Sequence, residues 1–584
     1  MLVLLRCDGG GRLGVGHVMR SLALAEAAVA AGHRVVVAGQ FEGAFLQAQL
    51  AAAPVEVAPL VAAAAEGDLQ QVVDLVRRRR PDVFHVDSYL GSDRLRELVA
   101  ARGVEAGVID QTPGDVTPGD VMSGNAISST LIFSNMEDGT FGRRPADVVI
   151  DPTLGAEHTT RPQDGSTWLL RGSRYTPVRR RVIDARRRAA VDNVSGVGVA
   201  ADIEVGQVAR SVLVVMGGTD PVGLAPAAVA LLARTGLALE VTAIAVGENA
   251  QRARAAAEGS VLSLNVLAPV DDLAAMMSGH DLVISAAGTS IWELCCIGVP
   301  AAVAWVVDNQ REGYDRVVAA GAAVGLGGPD LGGDDRAVDL LRVALTDSLV
   351  RADLVVAGRR IVDGLGAWRV VQMWEQAGRQ SVRQNRTPPS PPVTSAAALV
   401  TRPATLRDAE ALWQWRNDPT TRASSRSPEQ VSWDDHLQWL TASLARTDRV
   451  LLVIEDPGDP GDPADPGDTG GTDGAAGSVK TVGTVRWDLT AQEGEAEGSQ
   501  EWEVSITVAP QWRGQSLGGL LLRAAEQALS EVTGSRGADV TAYLAVVHVD
   551  NPASVRLFET SAYVPDLPPD PRGFMRFRKV ARVP

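Results

Sequence analysis

The chain has 584 residues, which at roughly 150 residues per domain allows about four domains; 45% are hydrophobic and 22% charged, a balance that excludes global disorder. With 55 Lys+Arg against 71 Asp+Glu the net charge is −16, so a broad basic surface and a nucleic-acid partner are not expected. Cys7, Cys295 and Cys296 are the only cysteines, too few for a disulfide framework or a four-cysteine zinc site.

The apolar start Met1–Leu5 is too short for a signal-peptide core. No apolar run reaches the ~18 residues of a membrane span. A cytoplasmic protein with no membrane partner is expected. Apolar strand-like runs then follow in order: Leu2–Leu5, Val35–Ala38, Val83–Val86, Val104–Ile109 and Val148–Ile150. Helical patterns such as Val18–Ala31 and Leu69–Arg80 lie between them. Strands buried on both faces and alternating with helices predict a parallel sheet covered by helices. A second series begins at Val212–Val215 and continues through Leu239–Val246, Val261–Leu264, Leu282–Ile284 and Ala301–Val307. Two doubly wound halves, 1–190 and 205–378, are predicted, with ligand in the cleft between them.

Residues 379–398 contain four prolines and no apolar periodicity, the composition of a linker. The pattern restarts over 399–584 with a short strand at Leu399–Thr401, a helix at Ala404–Asn417, and strands at Val450–Ile454, Val482–Trp487, Trp502–Val508 and Val540–Val547. The Asp/Pro/Gly repeat at 456–478 is self-repelling and broken by proline, and reads as a disordered insertion in a hairpin. Its spacing lacks the EF-hand pattern.

Leu2–Ala25 is the most informative stretch. A strand runs into Gly9, Gly10, Gly11, Gly14 and Gly16 and then into a helix. Glycines admit a ligand close to the backbone, and a helix N-terminus favours anions. His17 stands at the helix entrance with Asp8 at the strand end and Arg20 one turn on. An imidazole there suits a general base near neutral pH; by residue type alone it is equally a helix-capping histidine. In the second half, Gly217 and Gly218 end a strand, and Thr289 and Ser290 open a helix whose positive end can face an anion. Thr289 or Ser290 with Glu293 also has capping-box spacing. No Asp-x-Asp occurs, so no metal-bridged diphosphate is expected.

Read together, Arg6, Asp8, Gly14, Gly16, His17 and Arg20 resemble the start of the UDP-2,4-diacetamido-2,4,6-trideoxy-β-L-altropyranose hydrolases of pseudaminic acid biosynthesis, relatives of the MurG-like GT-B glycosyltransferases. Gly172, Tyr175 and Arg179, the MGGTDP loop at Met216–Pro221, Ser285–Gly298 and Asp308–Gln310 are similar to further segments of that family. The resemblance covers about residues 1–375. It implies a GT-B-like pair of Rossmann-type half-domains. His17 would be the catalytic base that deprotonates the attacking water, with Asp8 orienting that water or the sugar. Substrate contacts would come from Arg6, Gly14, Gly16, Arg20, Tyr175, Arg179, Gly217, Gly218, Thr289, Ser290 and Glu293, the last reaching the ribose. Asn309 and Gln310 would sit near the sugar or the β-phosphate.

In the last domain a strand ends at Pro510, and Gln511-Trp512-Arg513-Gly514-Gln515-Ser516-Leu517-Gly518-Gly519 leads into a helix, a nest for pyrophosphate. This resembles the acyl-CoA cradle of GCN5-related N-acetyltransferases (GNAT), an α+β fold, with Ser516 where a smaller residue is usual. The run from Asn551 to Tyr563 is similar to the same family, with Phe558 in the place of a frequent tyrosine acid and Ala562 in that of a glycine. The resemblance implies acetyl-CoA as co-substrate, bound by Val508, Arg513, Gly514, Gln515, Ser516, Gly518, Gly519 and Asn551. Glu503, with Glu501 second, is the candidate base. Trp415, Arg416 and Asn417 resemble the sugar-amine branch. A bifunctional enzyme of UDP-amino-sugars is therefore expected: acetylation of the 4-amino group, then inverting removal of UDP. A glycosyltransferase with an acceptor other than water, or a hydrolase with a non-catalytic acyl-CoA-binding module, are the rival readings.

Overall fold

The computed structural model describes all residues except 11–13, 62–64, 89–94, 97–130, 192–206, 218–219, 221, 332–334, 387–398, 457–479, 491–498, 516, 536–538 and 582–584. The strand expected at Val104–Ile109, and residues Gly218 and Ser516, lie outside the described residues, as does nearly all of the 456–478 insertion. Among the described residues no helix is long and apolar enough to cross a membrane. The chain divides into two units, Met1–Gly378 and Arg379–Pro584.

The first unit holds two all-parallel sheets. The first is built from β1 (Leu2–Cys7), β2 (Arg34–Gly39), β3 (Glu56–Pro59), β4 (Val83–Asp87), β5 (Ile132–Met136), β6 (Val148–Asp151) and β7 (Trp168–Arg171). Their order is β3-β2-β1-β4-β5-β6-β7. The second contains β8 (Ser211–Val215), β9 (Glu240–Ile244), β10 (Ser263–Leu267), β11 (Leu282–Ala286), β12 (Ala301–Ala304) and β13 (Val324–Gly325), ordered β10-β9-β8-β11-β12-β13. This is the GT-B-like pair of doubly wound lobes read from the sequence. The continuous apolar strands reflect burial on both faces. Val212 and Val214 of β8 point into one core, Leu213 and Val215 into the other.

In each sheet the strand order reverses once, between β1 and β4 and between β8 and β11. Crevices outside the carboxyl ends of strands open at such reversals. The first brings together the residues after Cys7 and the end of β4 at Asp87. The second brings together Gly217 and Gly288.

The lobes exchange their last helices, which corrects the boundaries at 190 and 205. The helix Arg180–Val191 packs on the second lobe, where Val182 and Ala185 share a core with Leu294 and Cys295. Arg186 donates to the carbonyls of Cys296 and Val362. Conversely, the helix Gly366–Arg386 returns to the first lobe. Trp374 Nε1 donates to Ser134 Oγ at 3.0 Å, and Arg369 Nη1 donates to the Arg174 carbonyl at 2.6 Å. That helix also takes in residues 379–386, which by composition belong to the linker.

The second unit is a seven-stranded sheet of β14 (Val400–Pro403), β15 (Arg449–Asp456), β16 (Lys480–Leu489), β17 (Ser499–Val508), β18 (Asp539–His548), β19 (Val564–Leu567) and β20 (Phe574–Val580), ordered β14-β15-β16-β17-β18-β20-β19. All neighbours are antiparallel except β17 and β18. Val450, Leu452 and Ile454 face the helix Gly518–Gly534, whereas Leu451 and Val453 face the helices Ala409–Asn417 and Trp433–Leu444.

Candidate functional site

At the first crevice the glycine turn follows directly from β1. Gly10 has φ +113°, and a Cβ there would meet the Glu42 carbonyl oxygen at 2.5 Å, so only glycine fits. The helix Gly16–Ala30 starts without a side-chain cap and without an acidic residue in its first turn, which leaves its N–H groups and positive end to the crevice.

Asp8 does not reach His17. It is buried, forms an ion pair with Arg6, and accepts from the Gln40 N–H at 2.9 Å and from Ser88 Oγ at 3.3 Å. It ties the ends of β1, β2 and β4 together. The partner of His17 is instead Asp87, whose Oδ1 lies 2.7 Å from His17 Nδ1. The sequence reading missed this residue. Arg20, expected to touch substrate, grips the same carboxylate through Nε and Nη2, both at 2.6 Å, and donates from Nη1 to both oxygens of Asp138 at 2.7 and 2.9 Å. Burial alone would raise the Asp87 pKa; Arg20 and His17 outweigh it and hold the carboxyl well below the usual range.

The second crevice holds Gly217 in a left-handed conformation, φ +79°. Opposite it the helix Thr289–Ile297 begins, again with no side-chain cap and no acidic residue in its first turn. The capping box suggested by Thr289, Ser290 and Glu293 is therefore not formed. Glu293 instead lines the pocket between the lobes with Thr289, Ser290, Gly217, Arg179 and Arg181. Burial pushes its carboxyl up to about 7, against the pull of Arg181 and Arg179. A Cβ on Gly16 would lie 3.2 Å from Thr289 Cγ2, so the two uncapped helix starts face each other across the cleft.

The remaining expected residues have mixed placements. Gly14 turns the backbone at φ +71° just before the helix. Arg179 lines the pocket, yet its Nε donates to Glu26 Oε1 at 2.6 Å. Tyr175 is buried in the short helix Ser173–Tyr175. Asn309 is exposed at the start of the helix Asp308–Ala319. Gln310 accepts from the Val306 N–H at 3.0 Å, with its Nε2 over Gly288.

In the second unit β17 pairs with β18 only from Ser499 to Val504. Beyond that, Ser505–Val508 stay on β16 and Val546–His548 stay on β20. The sheet therefore parts between β17 and β18, just before the turn containing Gly514 (φ +80°) and the uncapped helix at Gly518. A Cβ on Gly518 would meet Leu557 at 3.2 Å, whereas Gly519 has only the tip of Arg523 near it.

Several side chains expected on ligand work instead on the scaffold. Arg513 pairs with Asp418 at 2.7 Å and with Thr421 Oγ1 at 2.8 Å. Asn551 Oδ1 accepts from Ser554 N–H and caps the helix Pro552–Thr560. Gln515 reaches back towards the Gln511 carbonyl, and Val508 pairs with Gly483. Trp415 is buried in the core. Arg416 donates to the Ser427 carbonyl, and Asn417 makes paired bonds with the Val431 backbone at 2.9 and 2.8 Å. These clamp a loop whose Arg426 lies 2.7 Å from Glu503 Oε1. Glu501 is bound to Arg578, which leaves Glu503 the more accessible carboxylate. Phe558 is buried, edge-on to Tyr563 at 5.0 Å.

Residues 398–563 match the family described as acetyltransferase (GNAT) domain. A curated relative, the spore coat polysaccharide biosynthesis protein SpsG of Bacillus subtilis, is 31% identical over 112 residues, 19% of this chain and 33% of SpsG. The chain thus matches about a third of that relative's length. Among solved structures, MurG of Acinetobacter baumannii is 15% identical, with a TM-score of 0.44 over 64% of this chain and 99% of that one. Spermidine N-acetyltransferase from Vibrio cholerae, in complex with CoA and spermine, is 16% identical, with a TM-score of 0.24 over 32% and 96%. Part of the chain is thus similar to SpsG, and residues 398–563 match the GNAT acetyltransferase domain model.

Proposed function

We propose that residues 1–378 hydrolyse a UDP-activated acetamido sugar at its anomeric carbon, and that the GNAT domain acetylates the amino group of the precursor UDP-sugar with acetyl-CoA. The observation that carries the first half is the facing of two uncapped helix starts, at Gly16 and Thr289, with His17 beside them. Two positive helix ends that converge with no acidic residue in their first turns suit a diphosphate. Glu293, which lines the same pocket, would bond the ribose. The relationship to a polysaccharide biosynthesis protein supports a sugar-nucleotide substrate.

In this mechanism His17 Nε2 takes a proton from water as the oxygen attacks C1. The C1–O bond to the β-phosphate breaks, and UDP leaves with the electron pair, stabilised by the N–H groups at Gly217 and Thr289. Base and leaving group lie on opposite sides of C1, so configuration inverts. In the GNAT domain the parted strands would receive the pantetheine arm, and the Gly514–Gly519 turn the pyrophosphate. Glu503 takes the proton from the ammonium so that the amine can attack the thioester carbon. The buried Phe558 offers no proton, so CoA leaves as thiolate and is protonated by solvent.

Incubating the full chain with UDP-4-amino sugars and acetyl-CoA, followed by mass spectrometry, tests both halves. Acetylated UDP-sugar and then free sugar plus UDP are expected with no acceptor present. His17→Asn abolishes UDP release and leaves acetyl transfer intact. Release of UDP only when a hydroxyl acceptor is supplied would make the first unit a glycosyltransferase. Equal loss of both activities in His17→Asn would overturn the assignment of roles.

A further inference from the structure

The histidine at the cleft is held by a chain of charges that substrate binding does not require. We propose that Asp87 is the positioning residue for His17: it fixes the imidazole with Nδ1 protonated and Nε2 as the basic atom, and Arg20, anchored by Asp138, holds Asp87 in place. This rests on the hydrolase reading of the first unit.

His17 Nδ1 lies 2.7 Å from Asp87 Oδ1 and 3.1 Å from Arg20 Nη2. Nδ1 can donate to the carboxylate or accept from the guanidinium, not both. A guanidinium carries only donors and an ionised carboxylate only acceptors. Arg20 Nη2 already has Asp87 Oδ1 at 2.6 Å. The arrangement consistent with both Nδ1 contacts has Nδ1–H donating to Asp87. The lone pair then falls on Nε2, the atom a general base must present. When Nε2 takes the proton of water, the resulting imidazolium stands against a buried carboxylate.

The charges facing the imidazole come from three elements. Asp87 ends β4, Arg20 stands on the histidine's own helix, and Asp138 follows β5. Arg20 is thus one cation shared between two anions. The neighbouring groups add little: burial pushes the Cys7 thiol up to about 12 and His85 down to about 4, so both are neutral near pH 7. Arg6 and Asp8 neutralise each other.

In Asp87→Asn the single amide oxygen is claimed by Arg20. The amide N–H₂ then faces Nδ1 and forces the proton to Nε2. Nitrogen-15 NMR of the full chain, labelled in its histidines and assigned by the signals lost in His17→Asn, reads the tautomer directly and needs no activity. The wild type is expected to show an unprotonated Nε2 near pH 8, and Asp87→Asn a protonated one. In hydrolysis, Asp87→Asn should lose about 10⁴-fold in kcat, the scale seen when a histidine's carboxylate is made an amide in serine proteases, with KM little changed. Asp138→Asn keeps the tautomer and should lose less than about tenfold, since Asp87 stays on Arg20.

A wild type with protonated Nε2, or an Asp87→Asn variant that keeps both tautomer and kcat, overturns the proposal. If Asp87→Asn does not fold, the wild-type and Asp138→Asn spectra still decide. An inert wild type with the expected tautomer would refute the hydrolase reading alone.

Discussion

Glu293→Gln isolates the cost of placing an ionisable carboxyl at the nucleotide side of the cleft. Burial pushes this carboxyl from an ordinary 4.5 up to about 7, against Arg181 and Arg179. Below about pH 4.5 it is protonated in folded and unfolded chains alike. Between 4.5 and 7 the unfolded chain releases the proton while the folded one keeps it, so stability falls as pH rises. Above 7 the full cost is present, up to about 3 kcal/mol at about 1.4 kcal/mol per pH unit. Glutamine has nearly the same shape and cannot ionise. The variant should match the wild type near pH 4.5 and exceed it at pH 8. For cooperative unfolding of a unit this size, that is a gain of roughly 4 °C in Tm. Calorimetry of both proteins across pH 4.5–8 measures the difference, and all other titrating groups cancel. A constant offset between the two curves would refute the argument, because it would mean the carboxyl never resists ionisation in the fold.

Other outcomes follow from the same geometry. Ala562→Gly should stabilise the second unit by about 0.5–1 kcal/mol in thermal unfolding, because Ala562 is exposed and held at φ +67°. Gly10→Ala should destabilise the first unit by about 2–3 kcal/mol, since the new Cβ would meet a backbone oxygen at 2.5 Å in a left-handed turn. Gly16→Leu fills the space before Thr289 and should abolish UDP release while leaving acetylation, assayed with CoA release, unchanged. Glu503→Gln should lower kcat for acetyl transfer by about 10²–10³ and leave UDP release untouched.

The fold was legible where strands are apolar throughout. Leu2–Cys7 and Ser211–Val215 announce themselves because both faces are covered. In the first sheet three strands were missed, for two reasons. Glu56–Pro59 and Trp168–Arg171 lie at sheet edges and are only partly buried, so they carry no apolar run. Ile132–Met136 is fully buried, yet contains Ser134 and Asn135. Its polar atoms are satisfied by Trp374 and His85 for Ser134, and by Arg144 and the Gly142 carbonyl for Asn135. None of these bonds leaves a period in the sequence. The exchange of the helices Arg180–Val191 and Gly366–Arg386 was hidden likewise, since an amphipathic face does not say which lobe it covers.

The site divides along a physical line. The turns at Gly10, Gly14, Gly217 and Gly514 were legible because backbone with positive φ restricts residue type. Charged side chains were misread because a carboxylate or guanidinium in a motif has many possible partners. Asp8 drew attention because it is nine residues from His17; the carboxylate on His17 is Asp87, 70 residues away, brought there by the pairing of β1 with β4. One signal was available: Val83–Val86 runs into Asp87 as Leu2–Leu5 runs into Asp8, and parallel neighbours at a switch point put both strand ends in one crevice. The same reasoning applies to Arg513 and Asn417. A turn that binds anions by its N–H groups needs its side chains elsewhere, to hold the turn still. In this domain Asp418, Thr421 and Val431 occupy them.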